Sequence, residues 1–212
     1  MCTKIIPITG ISGSGKSSVA GGLISHSSNR VICASSIATR PPRNSDFLSP
    51  KKYINVDKGV FDFMVEKDFF FEYEVVNGDL YGTPLIFFEA AKKLKRNLIL
   101  DIDVKGAMRL LDKKSEGHKI LKDVEILPVF LWRNISPNNF DEKRDREAIK
   151  NQIKKSFEKR GDTLTDKDLI TRTDTALKEY LIVIEHHEIF TYVENVENNL
   201  TSTVELFESV FF

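Results

Sequence analysis

The chain has 212 residues, 41 % hydrophobic and 29 % charged, and its 31 basic residues cancel its 31 acidic ones. That size suits one compact domain or a core with small insertions. A balanced charge gives no general attraction to nucleic acid or to an anionic membrane, so phosphate binding has to come from Lys and Arg placed locally. Cys2 and Cys33 make neither a disulfide framework nor a metal-ligand pattern, and a reducing, cytoplasmic setting is expected. The apolar run after Lys4 is too short for a signal segment, and no stretch approaches the roughly 18 apolar residues of a membrane helix.

Residues 5–9 form an apolar run ending at Gly10 and predict a buried strand, followed by a helix from Lys16 to about Ser25. Residues 30–35 predict a second strand. Residues 36–56, rich in Pro, Ser, Asn and basic side chains, predict irregular structure with short strands. Val60, Phe61, Met64 and Val65 recur at helical spacing, so 58–67 reads as a helix. Residues 70–76 alternate aromatic or aliphatic with acidic residues, as a half-buried strand does, and Asn77-Gly78-Asp79 reads as a turn. Pro84 suits the first turn of a helix running to about residue 95. Residues 97–102 predict a buried parallel strand, with a helix after Lys105 and a strand over 126–132. Residues 137–180 are charged and helical in pattern, broken at Gly161. A short strand at 192–194 and a helix over 200–211 close the chain. Strands alternating with helices predict an α/β fold with a parallel sheet.

Gly10-Ile11-Ser12-Gly13-Ser14-Gly15-Lys16-Ser17 satisfies G-x-x-x-x-G-K-[ST] between a predicted strand and a predicted helix. Gly10, Gly13 and Gly15 let the backbone turn tightly, so that N–H groups of the loop, including those at Ser12, Ser14 and Ser18, face phosphate oxygens. The helix start adds its positive end. Lys16 reaches the β- and γ-phosphates and the Ser17 hydroxyl is the candidate magnesium ligand. The loop names a nucleoside triphosphate and leaves the acceptor open.

Ser36-Ile37-Ala38-Thr39-Arg40-Pro41-Pro42-Arg43 is similar to S-x-T-T-R-x-P-R, with Tyr53 ten residues after Arg43. Glu72-Tyr73-Glu74-Val75 with Gly78-Asp79-Leu80-Tyr81-Gly82-Thr83 resembles an acidic strand followed by G-N-Y-Y-G-[ST]. Leu100-Asp101-Ile102-Asp103-Val104-Lys105-Gly106-Ala107 resembles L-D-I-D-x-Q-G-A. With the phosphate loop, four motifs fall in order over residues 8–107, and together they resemble the guanylate kinase family, the P-loop nucleoside monophosphate kinases that act on GMP. The resemblance implies a P-loop core at 1–35, 84–136 and 181–212, a GMP-binding subdomain at 36–83 and a helical lid at 137–180. It implies transfer of the γ-phosphoryl group of ATP to GMP, and to dGMP, with Mg²⁺, and with nucleotides rather than nucleic acid or membrane as partners.

The residues suit that chemistry. Arg40 and Arg43 can grip a phosphate as two-pronged donors, and Tyr53 and Tyr81 can donate to the same oxygens. The resemblance implies that the Glu72 carboxylate accepts from guanine N1 and N2, with Asp103 assisting and Asp101 beside it in the 100–107 motif, and Ser36 and Thr83 can donate to O6. Such partners reject adenine because they would be left unpaired. Read locally, Asp101 and Asp103 could equally cap the helix that follows. In the lid, Arg160-Gly161 matches the family's R-G, and Arg172 falls near its second arginine. The family's further arginine, four residues before R-G, is replaced by Ser156, leaving Lys155 or Lys159 as substitutes. Two other readings stay open: a protein-interaction module that retains the fold without catalysis, and a small-molecule kinase with another phosphorylated acceptor. The complete phosphate loop disfavours the first, and the Glu72–Asp103 pair disfavours the second.

Overall fold

A computed structural model describes residues 2–42, 53–76, 78–197 and 199–212. Arg43 lies outside the described residues. In chain order the elements are β1 (Thr3–Thr9), α1 (Lys16–Ser27), β2 (Val31–Cys33), β3 (Ile37–Ala38), β4 (Ile54–Asn55), α2 (Lys58–Glu66), β5 (Phe70–Val76), β6 (Asp79–Pro84), α3 (Leu85–Leu94), β7 (Asn97–Asp101), α4 (Val104–Ser115), β8 (Val124–Ile126), β9 (Val129–Trp132), α5 (Glu142–Arg160), α6 (Asp166–Glu185), β10 (Thr191–Glu194) and α7 (Leu200–Phe211).

The larger sheet runs β10-β9-β1-β7-β2, with β8 also on β1, and all its ladders are parallel. Its central strands read as apolar runs because both faces are covered. Ile6, Ile8, Ile99, Val129 and Leu131 pack under α1 and α7 against Val19, Leu23, Val204 and Phe207. Ile5, Leu98 and Leu100 face the other way, onto Phe88 of α3 and Leu110 of α4. Phe130 and Ile11 meet the long helices α5 and α6 through Ile149, Ile153, Leu177 and Tyr180. Truncating a fully buried anchor such as Phe207 to Ala would cost about 3–5 kcal/mol.

The single strand expected over 126–132 is two. Thr3↔Val124 through Ile5↔Ile126 pair first, and Ile8↔Val129 and Thr9↔Phe130 resume after Leu127-Pro128. Proline has no N–H to give a ladder, which interrupts the pairing.

The second sheet runs β4-β3-β6-β5. Residues 79–84, of which only Asp79 is expected in a turn and Pro84 in the first turn of a helix, form β6, and Pro84 stands at the cap of α3 rather than inside it. Gly78, at φ +88°, closes the β5–β6 hairpin. The hairpin register sets Glu72 opposite Thr83 and Glu74 opposite Tyr81. Alternation then puts all four on one face. Behind the sheet, Phe61 of α2 stacks on Phe70 with ring centroids 4.5 Å apart. A Cβ on Gly82 would stand 2.5 Å from that Phe70 ring, so only glycine fits there.

Asp141 caps α5 by accepting from the Arg144 amide, and α5 ends where Gly161 turns left-handed at φ +67°. Thr165 caps α6 by accepting from the Asp168 amide. The break read at Gly161 is therefore a helix C-cap. No helix among the described residues is long and apolar enough to cross a membrane.

Candidate active site

The glycine loop links β1 to α1, and its shape comes from residues far away in sequence. Gly15, at φ +93°, is the N-cap of α1, and a Cβ there would stand 2.2 Å from the Asn195 side-chain nitrogen. That nitrogen donates to the Ser14 carbonyl at 2.7 Å, while Thr203 Oγ1 donates to Asn195 Oδ1 at 3.2 Å. On the other side, Gly13 faces Ser156 and Gln152 of α5, and a Cβ at Gly13 would lie 3.0 Å from Ser156 Cβ. The position where the family carries a further lid arginine is thus filled by a small side chain against the loop. Lys16 Nζ donates back to the carbonyls of Gly10 and of Ile11, the latter at 3.2 Å. Ser17 Oγ donates to Asp101 Oδ2 at 2.8 Å.

A cleft of about 780 Å³ opens over this loop. Gly10, Ser12, Lys16 and Ser17 line it from the loop, and Ser36, Tyr53, Glu72, Tyr81 and Thr83 line a wall built on and beside the second sheet. Asp101 and Asp103 line it from the end of β7 and the α4 cap, and α5 and α6 contribute Arg160 and Arg172. All of these are singled out by the sequence motifs, and they converge on one cavity. Ser14 is buried inside the loop and Ser18 is exposed on α1. Lys155 and Lys159 are exposed on α5 and are not among the lining residues. Asp101 sits with Ser17 at the phosphate end. Asp103 is the N-cap of α4, its Oδ1 accepting from the Gly106 amide at 2.6 Å, and it also lines the cleft. The helix-cap reading of Asp103 is thus what its hydrogen bond shows, and its place on the cleft leaves room for a ligand contact.

Arg40 is buried, with its guanidinium 4.6 Å from the centroid of the Tyr53 ring and Nη1 donating to the Pro41 carbonyl at 2.9 Å. It stands behind Tyr53 rather than among the cleft-lining residues. Tyr53 meets Tyr81 edge to face, with centroids 6.3 Å apart. Arg160 and Arg172 each lie over the Phe157 ring, at 4.7 and 4.9 Å from its centroid, and Arg160 pairs with Asp162 at 3.1 Å. Phe157 thus seats both arginines on one ring.

Glu72 Oε2 is buried and accepts no hydrogen bond among the described residues. Burial raises the Glu72 carboxyl above its ordinary value, and Asp103 and Glu74 push the same way. Arg109 and Lys113 pull it down. Glu179 of α6 is buried at the cleft, and desolvation pushes its carboxyl up to about 7 against the opposing pull of Lys16.

Several lining residues lie outside the motifs, and some have a signal in the sequence. Thr175, Ala176 and Glu179 follow Arg172 at three, four and seven residues, the spacing of one helix face. Arg109 likewise follows Gly106 by three residues on α4. Lys167 lines the cleft from the first turn of α6. Asn195 and Phe157 have no local signal, because their partners are set by the tertiary fold.

The donor set at Ser17 and Asp101 is a hydroxyl and a carboxylate side by side. These hard oxygens match a magnesium ion retaining water and phosphate ligands. No group of three or more His, Cys, Asp or Glu side chains suited to holding a metal occurs among the described residues.

The sequence profile described as guanylate kinase matches residues 2–208. A protein named guanylate kinase from Mycoplasma capricolum is 31 % identical over 93 % of this chain, which spans 60 % of that relative's length. Those of Clostridium tetani and Thermotoga maritima are 28 % and 29 % identical over 93 % and 98 % of this chain, each matched over 85 % of its own length. The crystal structure of guanylate kinase from Anaplasma phagocytophilum superposes with a TM-score of 0.61 at 19 % identity, covering 99 % of this chain and 84 % of that one, and so shares its fold. A profile match over nearly the whole chain, on a phosphate loop facing an acidic hairpin, places this protein in the guanylate kinase family.

Proposed function

We propose that this protein transfers the γ-phosphoryl group of ATP to GMP, and also to dGMP. The observation that carries the reading is Glu72 Oε2, a buried carboxylate oxygen without a hydrogen-bond partner among the described residues, on a residue lining the same cleft as Lys16. An unpaired buried acceptor is costly. A ligand with two adjacent N–H donors, as guanine has at N1 and N2, relieves that cost, and adenine does not. Ser36 and Thr83, on the same wall, are the donors for the base carbonyl.

In this reading the glycine loop holds the donor triphosphate by its backbone N–H groups, and Lys16 turns from the Gly10 and Ile11 carbonyls to the β- and γ-phosphates. Arg160 and Arg172, seated on Phe157, neutralise charge on the moving phosphoryl group. Tyr81 and Tyr53 hold the acceptor phosphate, with Arg40 backing the Tyr53 ring and Arg43 assigned beside them from the sequence. Ser17 and Asp101 would hold magnesium, which when bound shields charge between the donor phosphates. The protein positions and neutralises, with no covalent step of its own. The matching division is a core at 1–35, 84–136 and 181–212, an acceptor-binding unit at 36–83 and a lid at 137–180.

A coupled phosphotransfer assay with ATP and each of GMP, AMP, UMP and CMP tests the reading. GMP should lead in kcat/KM by on the order of 10² or more, and Glu72→Gln, which swaps an acceptor for a donor, should narrow the GMP:AMP ratio by at least tenfold. Equal use of all four acceptors, or an unchanged ratio in Glu72→Gln, would refute it.

A further inference from the structure

The acceptor wall carries a charge cluster that the reaction as described does not use. Arg109, on the cleft face of α4, donates through Nη2 to Glu74 Oε2 at 2.8 Å, and its Nε lies 3.7 Å from Glu72 Oε2. Glu72 and Glu74 stand two residues apart on one face of β5, where like charges repel. The guanidinium is hydrogen-bonded to the outer carboxylate and only leans on the inner one. The inner oxygen therefore feels a cation without spending its lone pairs, and stays available to a ligand.

We propose that Arg109, pinned by Glu74, is a positioning residue that keeps Glu72 charged and aimed into the cleft, and so sets the selectivity for a guanine base. The inference rests on the reading of Glu72 as the base contact. Four charged groups face Glu72: Arg109 and Lys113 from α4, Asp103 at the α4 cap, and Glu74 beside it on β5. Lys113 is engaged elsewhere, donating to the Phe71 carbonyl at 2.7 Å and lying over the Phe71 ring. Arg109 is thus the adjustable cation of the set. Without it, burial together with Asp103 and Glu74 acts on Glu72 unopposed except by Lys113, and the carboxyl holds its proton to a higher pH. A protonated Glu72 offers a donor where guanine also offers donors.

The test is steady-state kinetics from pH 5 to 8 on Arg109→Met, Arg109→Lys, Glu74→Gln and Glu72→Gln. The Arg109 side chain is 41 % exposed, so Arg109→Met opens no core. In Arg109→Met the acid limb of kcat/KM for GMP should move to higher pH. On the acid side of the limb the GMP KM should rise several-fold over wild type and converge on it toward pH 8, with the ATP KM within about twofold throughout. Arg109→Lys should bring the acid limb back. Glu74→Gln removes a carboxylate that pushes Glu72 up and frees the guanidinium to bond Glu72 itself, so it should move the limb to lower pH while raising the GMP KM at pH 8, where the inner oxygen is no longer available to the base. An acid limb at its wild-type position in Arg109→Met overturns the proposal, as do an unchanged GMP KM in Glu74→Gln at pH 8 or matched losses for ATP and GMP. Glu72→Gln separates the two layers. If it narrows the GMP:AMP ratio while Arg109→Met leaves the acid limb in place, the base reading stands and this inference fails. If it leaves the ratio unchanged, the base reading itself fails.

Discussion

Glu179 gives this protein a pH-dependent stability that can be worked out in advance. The residue is 9 % exposed on α6. Desolvation raises its carboxyl from an ordinary 4.5 to about 7, with Asp103 adding to the rise and Lys16, the Val104 amide and Lys105 opposing it. Because the folded value lies above the unfolded one, the folded state holds one more proton between these limits. Stability is then greatest below about pH 4.5 and is lost as the pH rises to about 7. At 1.36 kcal/mol per pH unit the loss is about 3 kcal/mol, with no discount for solvent screening because the group is buried. Glu179→Gln keeps the shape and removes the titration. Its gain over wild type in denaturant unfolding should be near zero at pH 4.5 and grow to about 3 kcal/mol at pH 8. A stability difference that stays constant from pH 5 to pH 8 would show that Glu179 titrates normally and that the burial argument is wrong.

Lys16→Met should lower the transfer rate by on the order of 10²–10³ without changing the unfolding midpoint by more than a few degrees, read by coupled assay and circular dichroism. Phe157→Leu removes the ring beneath Arg160 and Arg172 and preserves most of the buried volume. At about 0.5–1 kcal/mol per cation–π contact, kcat should fall several-fold while the ATP KM changes little, and an unchanged kcat would remove Phe157 from the positioning role. Asn195→Ala leaves the Ser14 carbonyl unpartnered inside the loop. It should cost about 1–3 kcal/mol of stability and weaken ATP binding more than GMP binding, which calorimetry with each nucleotide decides.

How much of the fold shows in the sequence depends on the range of the contacts that make it. The glycine loop is legible because its shape is written within eight consecutive residues, and the strand before it and helix after it are both strongly patterned. Residues 97–101 read correctly as a buried strand because Leu98, Ile99 and Leu100 have no polar face to show. Residues 79–84 do not read as a strand. Gly78, Gly82 and Pro84 are turn formers, and only pairing with β5 across the hairpin holds them extended. The interruption at Pro128 is visible as a proline within an apolar run, and a proline there argues against one continuous strand.

The site divides along the same line. Lys16, Glu72, Tyr81, Thr83, Arg160 and Arg172 can be named from motifs, yet what makes each usable comes from elsewhere in the chain. Thr83 shares a wall with Glu72 because of the hairpin register, and Phe157 seats both arginines on one ring. The neutral net charge of the chain hides a cleft lined by both signs. Lys16, Arg160 and Arg172 reach it from the glycine loop and from α5 and α6, and Glu72, Glu74 and Asp103 from β5 and the α4 cap. Arg109 is the cation set among those carboxylates, bonded to Glu74 and near Glu72. A site built only to attract phosphate would have no use for a cation there, since Glu74 already occupies its hydrogen-bonding edge. Its placement is explained by the acidic pair it balances, because two neighbouring carboxylates on one strand face need a counter-charge for the inner, buried one to stay ionised.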